Sequence, residues 1–164
     1  MCTVRFIADL HLGHENMSKR RNFKSISDHD EFIISEWNST VNKNDLTYIL
    51  GDISMESTNS YPLLDRLNGR KIVVLGNHDL PRDILSLLNH VDKVSGMIKY
   101  KGVWLTHCPV HPSEFQFRVS KNIHGHIHEN VVMLNGIPDH RYFCVSCENV
   151  GYKPKTLHQL GIKR

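Results

Sequence analysis

Short apolar runs separated by polar segments mark the first half of the chain. The runs at residues 4–8, 46–50 and 71–75 each stop at a glycine or an aspartate, which predicts strands, and we expect the run at residues 71–75 to be buried. Between them, apolar residues recur at helical spacing. This spacing predicts one helix that begins at Ser27 or Asp28, a second over residues 61–67 and a third after Pro81.

After residue 96 the pattern changes to short β-type runs without clear helices. The predicted strands cover residues 97–100, 103–106, 121–123, 131–134 and 141–145. The chain shows neither an internal repeat nor a linker. We therefore predict an α/β fold, mostly β in its second half, that forms one domain over residues 1–164.

Composition narrows the class of protein. With 40% hydrophobic and 23% charged residues and a net charge of +3, the chain has the balance of a globular protein rather than a disordered one. Its apolar runs are far shorter than the roughly 18 residues that cross a bilayer, and residues 1–15 lack a signal-peptide pattern. We expect a cytoplasmic protein with reduced cysteines and no membrane partner.

Histidine is the outlier, with 12 of 164 residues, and it indicates metal or acid–base chemistry. The basic cluster formed by residues 19–21 and Lys24 has two interpretations. It either attracts a phosphate-bearing substrate or forms an ordinary solvated loop, and charge runs favour the loop.

Candidate metal ligands follow nearly every apolar run where a strand gives way to a loop, the edge at which open α/β sheets bind ligands. In chain order the five blocks are Asp9-Leu10-His11, Gly51-Asp52, Gly76-Asn77-His78-Asp79, His107 and His124-Gly125-His126-Ile127-His128. Extended geometry would project the alternate residues of the first and last blocks to a common face. Each block alone has a structural explanation, such as a turn or a helix cap. Together they predict a metal site.

Imidazole, carboxylate and amide ligands without a thiolate suit divalent ions of borderline to hard character. We favour Mn²⁺, with Ni²⁺, Fe²⁺, Zn²⁺ and Mg²⁺ as alternatives. The seven candidate ligands are Asp9, His11, Asp52, Asn77, His107, His126 and His128. They exceed what a single tetrahedral ion uses, so we predict two ions that share the Asp52 carboxylate.

The five blocks, in this order, resemble the calcineurin-like metallophosphoesterase family over residues 4 to about 150. The resemblance implies a two-sheet β-sandwich flanked by helices, in four layers, without the cap domain of larger relatives. It also implies two ligand sets, Asp9, His11, Asp52 and His128 for one ion and Asp52, Asn77, His107 and His126 for the other. His78 matches the catalytic histidine of the family, and we expect Asp79 to orient it.

Two neighbouring cations lower the pKa of a shared water, so that hydroxide attacks phosphorus while His78 protonates the leaving oxygen. Few arginines adjoin the blocks, which favours a phosphodiesterase acting on small nucleotide or cyclic-nucleotide diesters. We expect His14 and Asn77 to contact this substrate, in a pocket also lined by Asn16 and residues 111–117.

Several alternatives stay open. The nearest is a nuclease, although the chain has no evident basic and aromatic track for a nucleic acid. A phosphomonoesterase or phosphoprotein phosphatase is next. A non-catalytic metal-binding protein would have no use for His78. Cys144 and Cys147 form either a zinc or redox pair or, as we favour, buried thiols.

Overall fold

The computed structural model describes residues 2–163. The first four strands are β1 (Val4–Ile7), β2 (Leu46–Leu50), β3 (Arg70–Val74) and β4 (Lys93–Ser95). They form one parallel sheet in the order β1-β2-β3-β4. The first three are the predicted apolar runs. β4 was not predicted, because its three residues include only one apolar side chain.

Six further strands follow within residues 2–163. They are β5 (Ile98–Tyr100), β6 (Val103–Leu105), β7 (Lys121–His124), β8 (Met133–Leu134), β9 (Ile137–Pro138) and β10 (Tyr142–Cys144). A second sheet has the order β10-β7-β6-β5, in which only the β5–β6 pair is antiparallel. β8 and β9 form a separate hairpin.

Four short α-helices accompany the sheets. They are α1 (Glu15–Arg20), α2 (Ile26–Asn38), α3 (Ile84–Leu87) and α4 (Cys147–Val150), with 3₁₀ turns at Tyr61–Arg66, Pro81–Asp83 and Pro112–Glu114. The predicted caps of α2 are wrong, since the Ser25 hydroxyl accepts the Asp28 amide hydrogen at 3.0 Å. Ser27 and Asp28 lie inside the first turn. α1 and α4 are too short to show a helical period in the sequence.

The two sheets share one hydrophobic core, which includes Ile49 from the first sheet and Ile123 from the second. Phe6 stacks on Tyr48 with ring centroids 5.7 Å apart, and the Tyr100 ring lies 5.8 Å from Phe6. The α/β class is confirmed, while the four-layer order and the single-domain boundary stay predictions. Among residues 2–163, no helix is both long and apolar enough to cross a membrane.

Parallel pairing continues past the strands and aligns the motif blocks. The Asp9 amide donates to the Gly51 carbonyl and the His11 amide to the Asp52 carbonyl, both at 3.0 Å. Two further bonds join Ala8 to the segment that follows β10, since Ala8 N–H donates to the Val145 carbonyl at 2.8 Å and the Ala8 carbonyl accepts from residue 147. The loops that end the strands of both sheets therefore meet at one edge.

Candidate metal centre

Most of the predicted ligands come together at this edge. Potential ligand atoms of Asp9, His11 and His128 lie within 4.8 Å of one another, and so do those of Asp9, Asp52 and His107. Asp52 faces both imidazoles, with Oδ2 3.8 Å from His11 Nε2 and Oδ1 3.4 Å from His107 Nε2. The arrangement provides two adjacent groups of ligands linked by carboxylates.

The His11 ring shows that a cation fits the first group. His11 is 2% exposed, and neither of its ring nitrogens has a hydrogen-bond partner. Burial, with the nearby Arg21 charge, lowers the pKa of His11 to about 3, so the ring is neutral near pH 7. A buried polar nitrogen without a partner is costly. A divalent ion beside Asp9 and His128 would use the free lone pair.

Potential ligand atoms also converge in the second group. His107 Nδ1 donates to the Leu50 carbonyl at 2.8 Å, and His107 Nε2 lies 2.9 Å from the Asn77 amide oxygen. That oxygen lies 2.9 Å from His126 Nδ1 as well. Burial by itself lowers the pKa of His107, but the Asp52 carboxylate raises it above its usual value, because a negative charge favours positive charge at this place. A cation fits the same position.

Five candidate ligands have a left-handed backbone conformation rather than an extended one. Positive φ angles occur at Asp9 (58°), His11 (50°), Asp52 (54°), His126 (70°) and His128 (50°). Each such non-glycine residue costs about 1–3 kcal/mol, and such strain concentrates at functional sites. The prediction that alternate residues of one strand share a face is therefore wrong. The turns of the loops that carry them, rather than one extended face, bring the candidate ligands together.

His124 shows the consequence of this correction. It is the last residue of β7, and its Nδ1 lies 2.9 Å from the Gly125 carbonyl. Its ring packs near Tyr142 and burial lowers the pKa of His124 to about 4. His124 is thus a core side chain, whereas His126 and His128 reach the site from the loop.

Two glycines leave the space that the Asp9 and Asp52 carboxylates occupy. A Cβ atom on Gly125 would lie 2.5 Å from Asp9 Oδ2, and one on Gly76 would collide with Asp52 Oδ1. Both glycines come from the motif blocks. Any side chain at either position would displace a candidate ligand.

Asp79 supports the Asp52 loop. Its carboxylate accepts from the amides of Asp52 at 2.8 Å, Ile53 at 3.0 Å and Gly76 at 2.8 Å. The acidic group beside His78 is instead Glu56, whose Oε1 lies 3.5 Å from His78 Nδ1. These contacts give Asp79 a positioning role different from the one that the sequence suggested.

His78 and His14 both border the first group. Their ring centroids lie 6.0 Å and 5.6 Å from that of His11. The loop at residues 111–117, which we predicted to line the pocket, contacts residues outside the candidate metal centre. Its Glu114 carbonyl accepts from Trp104, and its Phe115 ring packs on Tyr142.

No family model matches the chain. The gene 66 protein of Mycobacterium phage L5 is 31% identical to it over 84% of the chain and 83% of the phage protein. The chain belongs to the family of this gene 66 protein.

Two solved structures share the fold of this gene 66 family member. A protein of unknown function from Aquifex aeolicus has a TM-score of 0.72 and 26% identity, and the match covers 98% of both chains. An archaeal phosphodiesterase has a TM-score of 0.51 and 18% identity, and the match covers 88% of this chain and 84% of the other. The second likeness shows the fold alone.

In this gene 66 family member, a buried ion pair that the sequence did not predict contacts two of the candidate ligands, Asp9 and His128. The Arg21 side chain is 1% exposed and donates to Glu148 Oε1 at 2.7 Å and to the Asp9 carbonyl at 2.7 Å. Glu148 Oε1 also lies 3.3 Å from His128 Nδ1. Arg21 therefore belongs neither to a solvated loop nor to a substrate-attracting patch. A buried arginine next to two exposed basic residues carries no distinguishing pattern in the sequence.

The Glu148→Gln variant is expected to bind metal about 10–100-fold more weakly, because a carboxylate that accepts Nδ1–H keeps a histidine ligand oriented. It should also unfold more easily, since it leaves the buried Arg21 charge unpaired. Burial alone would raise the pKa of Glu148, but His128 and Arg21 lower it to about 2 from 4.5. Its ionisation thus stabilises the fold above pH 4.5, and this contribution is lost as the pH falls toward 2.

Isothermal titration with Mn²⁺ and thermal unfolding between pH 2 and 7 would measure both effects. Glu129→Gln is the matched control, because Glu129 pairs with Arg20 at 2.9 Å with both side chains more than half exposed. Equal Mn²⁺ affinity in the two variants would contradict the positioning role of Glu148.

Proposed function

We propose that this protein is a metal-dependent phosphoester hydrolase of the calcineurin-like metallophosphoesterase type, formed by one domain over residues 1–164. The observation that carries the proposal is the pair of linked ligand groups that Asp9 and Asp52 join, with His11 buried and unpartnered between carboxylates. The fold shared with an archaeal phosphodiesterase supports the same reaction class.

Two divalent ions would be held as the family resemblance implies. Asp9, His11, Asp52 and His128 would bind one, and Asp52, Asn77, His107 and His126 the other, with Mn²⁺ favoured. When bound, such a pair supplies a hydroxide nucleophile near neutral pH and neutralises charge that develops on the phosphoryl oxygens.

The side chains around the ions would handle the substrate. His78 borders the first group and is a quarter exposed, so it can reach a phosphate ester and donate a proton to the leaving oxygen. The Glu56 carboxylate lies on the Nδ1 side of the His78 ring, 3.5 Å away and without a hydrogen bond to it. His14 and the exposed Asn77 would contact the non-bridging phosphate oxygens.

The charges near the site favour a diester. A monoester carries one more negative charge and calls for a free guanidinium or ammonium group beside the metals. Arg21, which adjoins the ligands, is buried and already bonded to Glu148 and to backbone carbonyls. Lys19 and Arg20 pair with the carboxylates of Glu15 and Glu129. We therefore propose small phosphodiesters of the nucleotide or cyclic-nucleotide type as the substrates.

Metal-dependent hydrolysis tests the proposal. The metal-stripped protein is reloaded with Mn²⁺, Ni²⁺, Fe²⁺, Zn²⁺ or Mg²⁺ and assayed against a bis-aryl and a mono-aryl phosphate. We expect hydrolysis only after reloading and a higher kcat/KM for the diester. A higher kcat/KM for the mono-aryl phosphate would indicate a phosphomonoesterase. Two bound ions without hydrolysis of either ester would favour a metal-binding protein and contradict the proposal.

A further inference from the structure

A thiol lies beside the second ligand group. Cys108 directly follows His107 in the loop after β6, and its side chain is free and exposed. Its sulfur and ring nitrogens of His107 and His126 all lie within 4.8 Å of one another. The sulfur is therefore close enough to bind the same ion as the two imidazoles.

The ligand atoms already described lie next to this thiol. His107 Nε2 and His126 Nδ1 both lie 2.9 Å from the Asn77 amide oxygen, and the other His107 nitrogen donates to the Leu50 carbonyl. The sulfur lies within 4.8 Å of a nitrogen of each of these two rings. A thiolate would add a soft donor atom to the hard oxygen and borderline nitrogen donors of this group.

We infer that Cys108 is a thiolate ligand of the ion bound by His107 and His126, and that it tunes this position toward thiophilic cations such as Zn²⁺ and Co²⁺ rather than Mg²⁺. The inference rests on the proposed two-ion function. As the sulfur–metal bond forms, the Sγ–H proton passes to solvent, so that one proton is released and no electron is transferred. The thiolate-free ligand set predicted from the sequence would then lack one member.

Cobalt substitution tests this assignment through the spectrum. The metal-free protein, the Cys108→Ser variant and the Cys2→Ser control are each titrated with Co²⁺ under reducing, anaerobic conditions. Cys2 is also free and exposed, but it precedes β1, at the end opposite to the ligands. Sulfur-to-cobalt charge transfer absorbs in the near ultraviolet, apart from the visible d–d bands of bound Co²⁺.

We expect the charge-transfer band in the wild-type and Cys2→Ser proteins and its loss in Cys108→Ser, which keeps the d–d bands and both ions. Competition with a chromophoric chelator should show Zn²⁺ affinity at that position falling at least about tenfold in Cys108→Ser, more than Mn²⁺ affinity falls. Removing a group that only hydrogen-bonds to a metal ligand already lowers metal affinity at least about tenfold, so removing a direct ligand should lower it no less.

The outcomes separate this inference from the proposed function. Two bound Co²⁺ ions and ester hydrolysis without a charge-transfer band would overturn the thiolate assignment and leave the hydrolase intact. A band that persists in Cys108→Ser would assign the sulfur to another cysteine and overturn it as well. Absence of bound Co²⁺ in the wild-type protein would overturn both.

Discussion

The Asp52→Asn variant is expected to lose bound metal and to hydrolyse a bis-aryl phosphate at least about 10³-fold more slowly, beyond the 10–100-fold cost of removing an outer partner. Asp52 faces His11 and His107 from its two oxygens, so it links the ligand groups. Burial alone would raise the pKa of Asp52, but His107 and the His78 amide lower it, and the carboxylate is anionic at neutral pH. The amide of asparagine keeps the shape and removes the charge.

Metal analysis after dialysis and kcat/KM at saturating Mn²⁺ would measure this loss. Asp65→Asn serves as the control, because its exposed carboxylate pairs with His90 on the surface and should leave both values unchanged. Full metal content in Asp52→Asn would refute its place between the two ions. Recovery of full activity in excess Mn²⁺ would show that its charge is needed only for affinity.

The second large effect is expected from His78→Ala, which should lower kcat by about 10²–10⁴, the range for a lost general acid, while metal content stays the same. Within residues 2–163, the one hydrogen bond from His78 to a predicted ligand comes from its backbone amide, which donates to Asp52 Oδ1 at 3.1 Å. Alanine retains that amide. The imidazole itself borders His11 without a hydrogen bond to it.

The loss of kcat in His78→Ala should depend on the leaving group of the ester, and this dependence tests the role of His78 most directly. A proton donor matters most when the departing alkoxide is basic, so the loss should be larger for an alkyl ester than for a nitrophenyl ester. His90→Ala removes a surface imidazole that is paired with Asp65 and provides the comparison. An equal loss with every leaving group would assign His78 to substrate binding, and a loss of metal would assign it to the ligand set.

Local patterns predicted the parts of the fold that depend on local sequence. The apolar runs of β1, β2 and β3 are visible because parallel strands buried on both faces need no alternation. The candidate ligands that follow these strands could be located because each stands where an apolar run ends. The elements β4, α1 and α4 have three to six residues, too few to complete a recognisable period.

The supporting groups were not predictable in this way. Arg21 and Glu148 are 127 positions apart, and the Ser146 hydroxyl that donates to Asp9 at 2.6 Å is 137 positions away. Nothing in the sequence near an arginine or a serine marks such a distant partner. Burial and register select these contacts when the two sheets come together.

The amino-acid sequence by itself determined which side chains stand where strands end, because apolar runs and the breaks after them are local properties. The tertiary structure decided how those side chains face one another. Left-handed turns at Asp9 and His128, the pairing of Ala8 with the segment after β10, and the buried Arg21 arise only when distant segments pack. Their energies depend on loop closure and on the exclusion of water, which belong to the whole chain rather than to any short stretch of it.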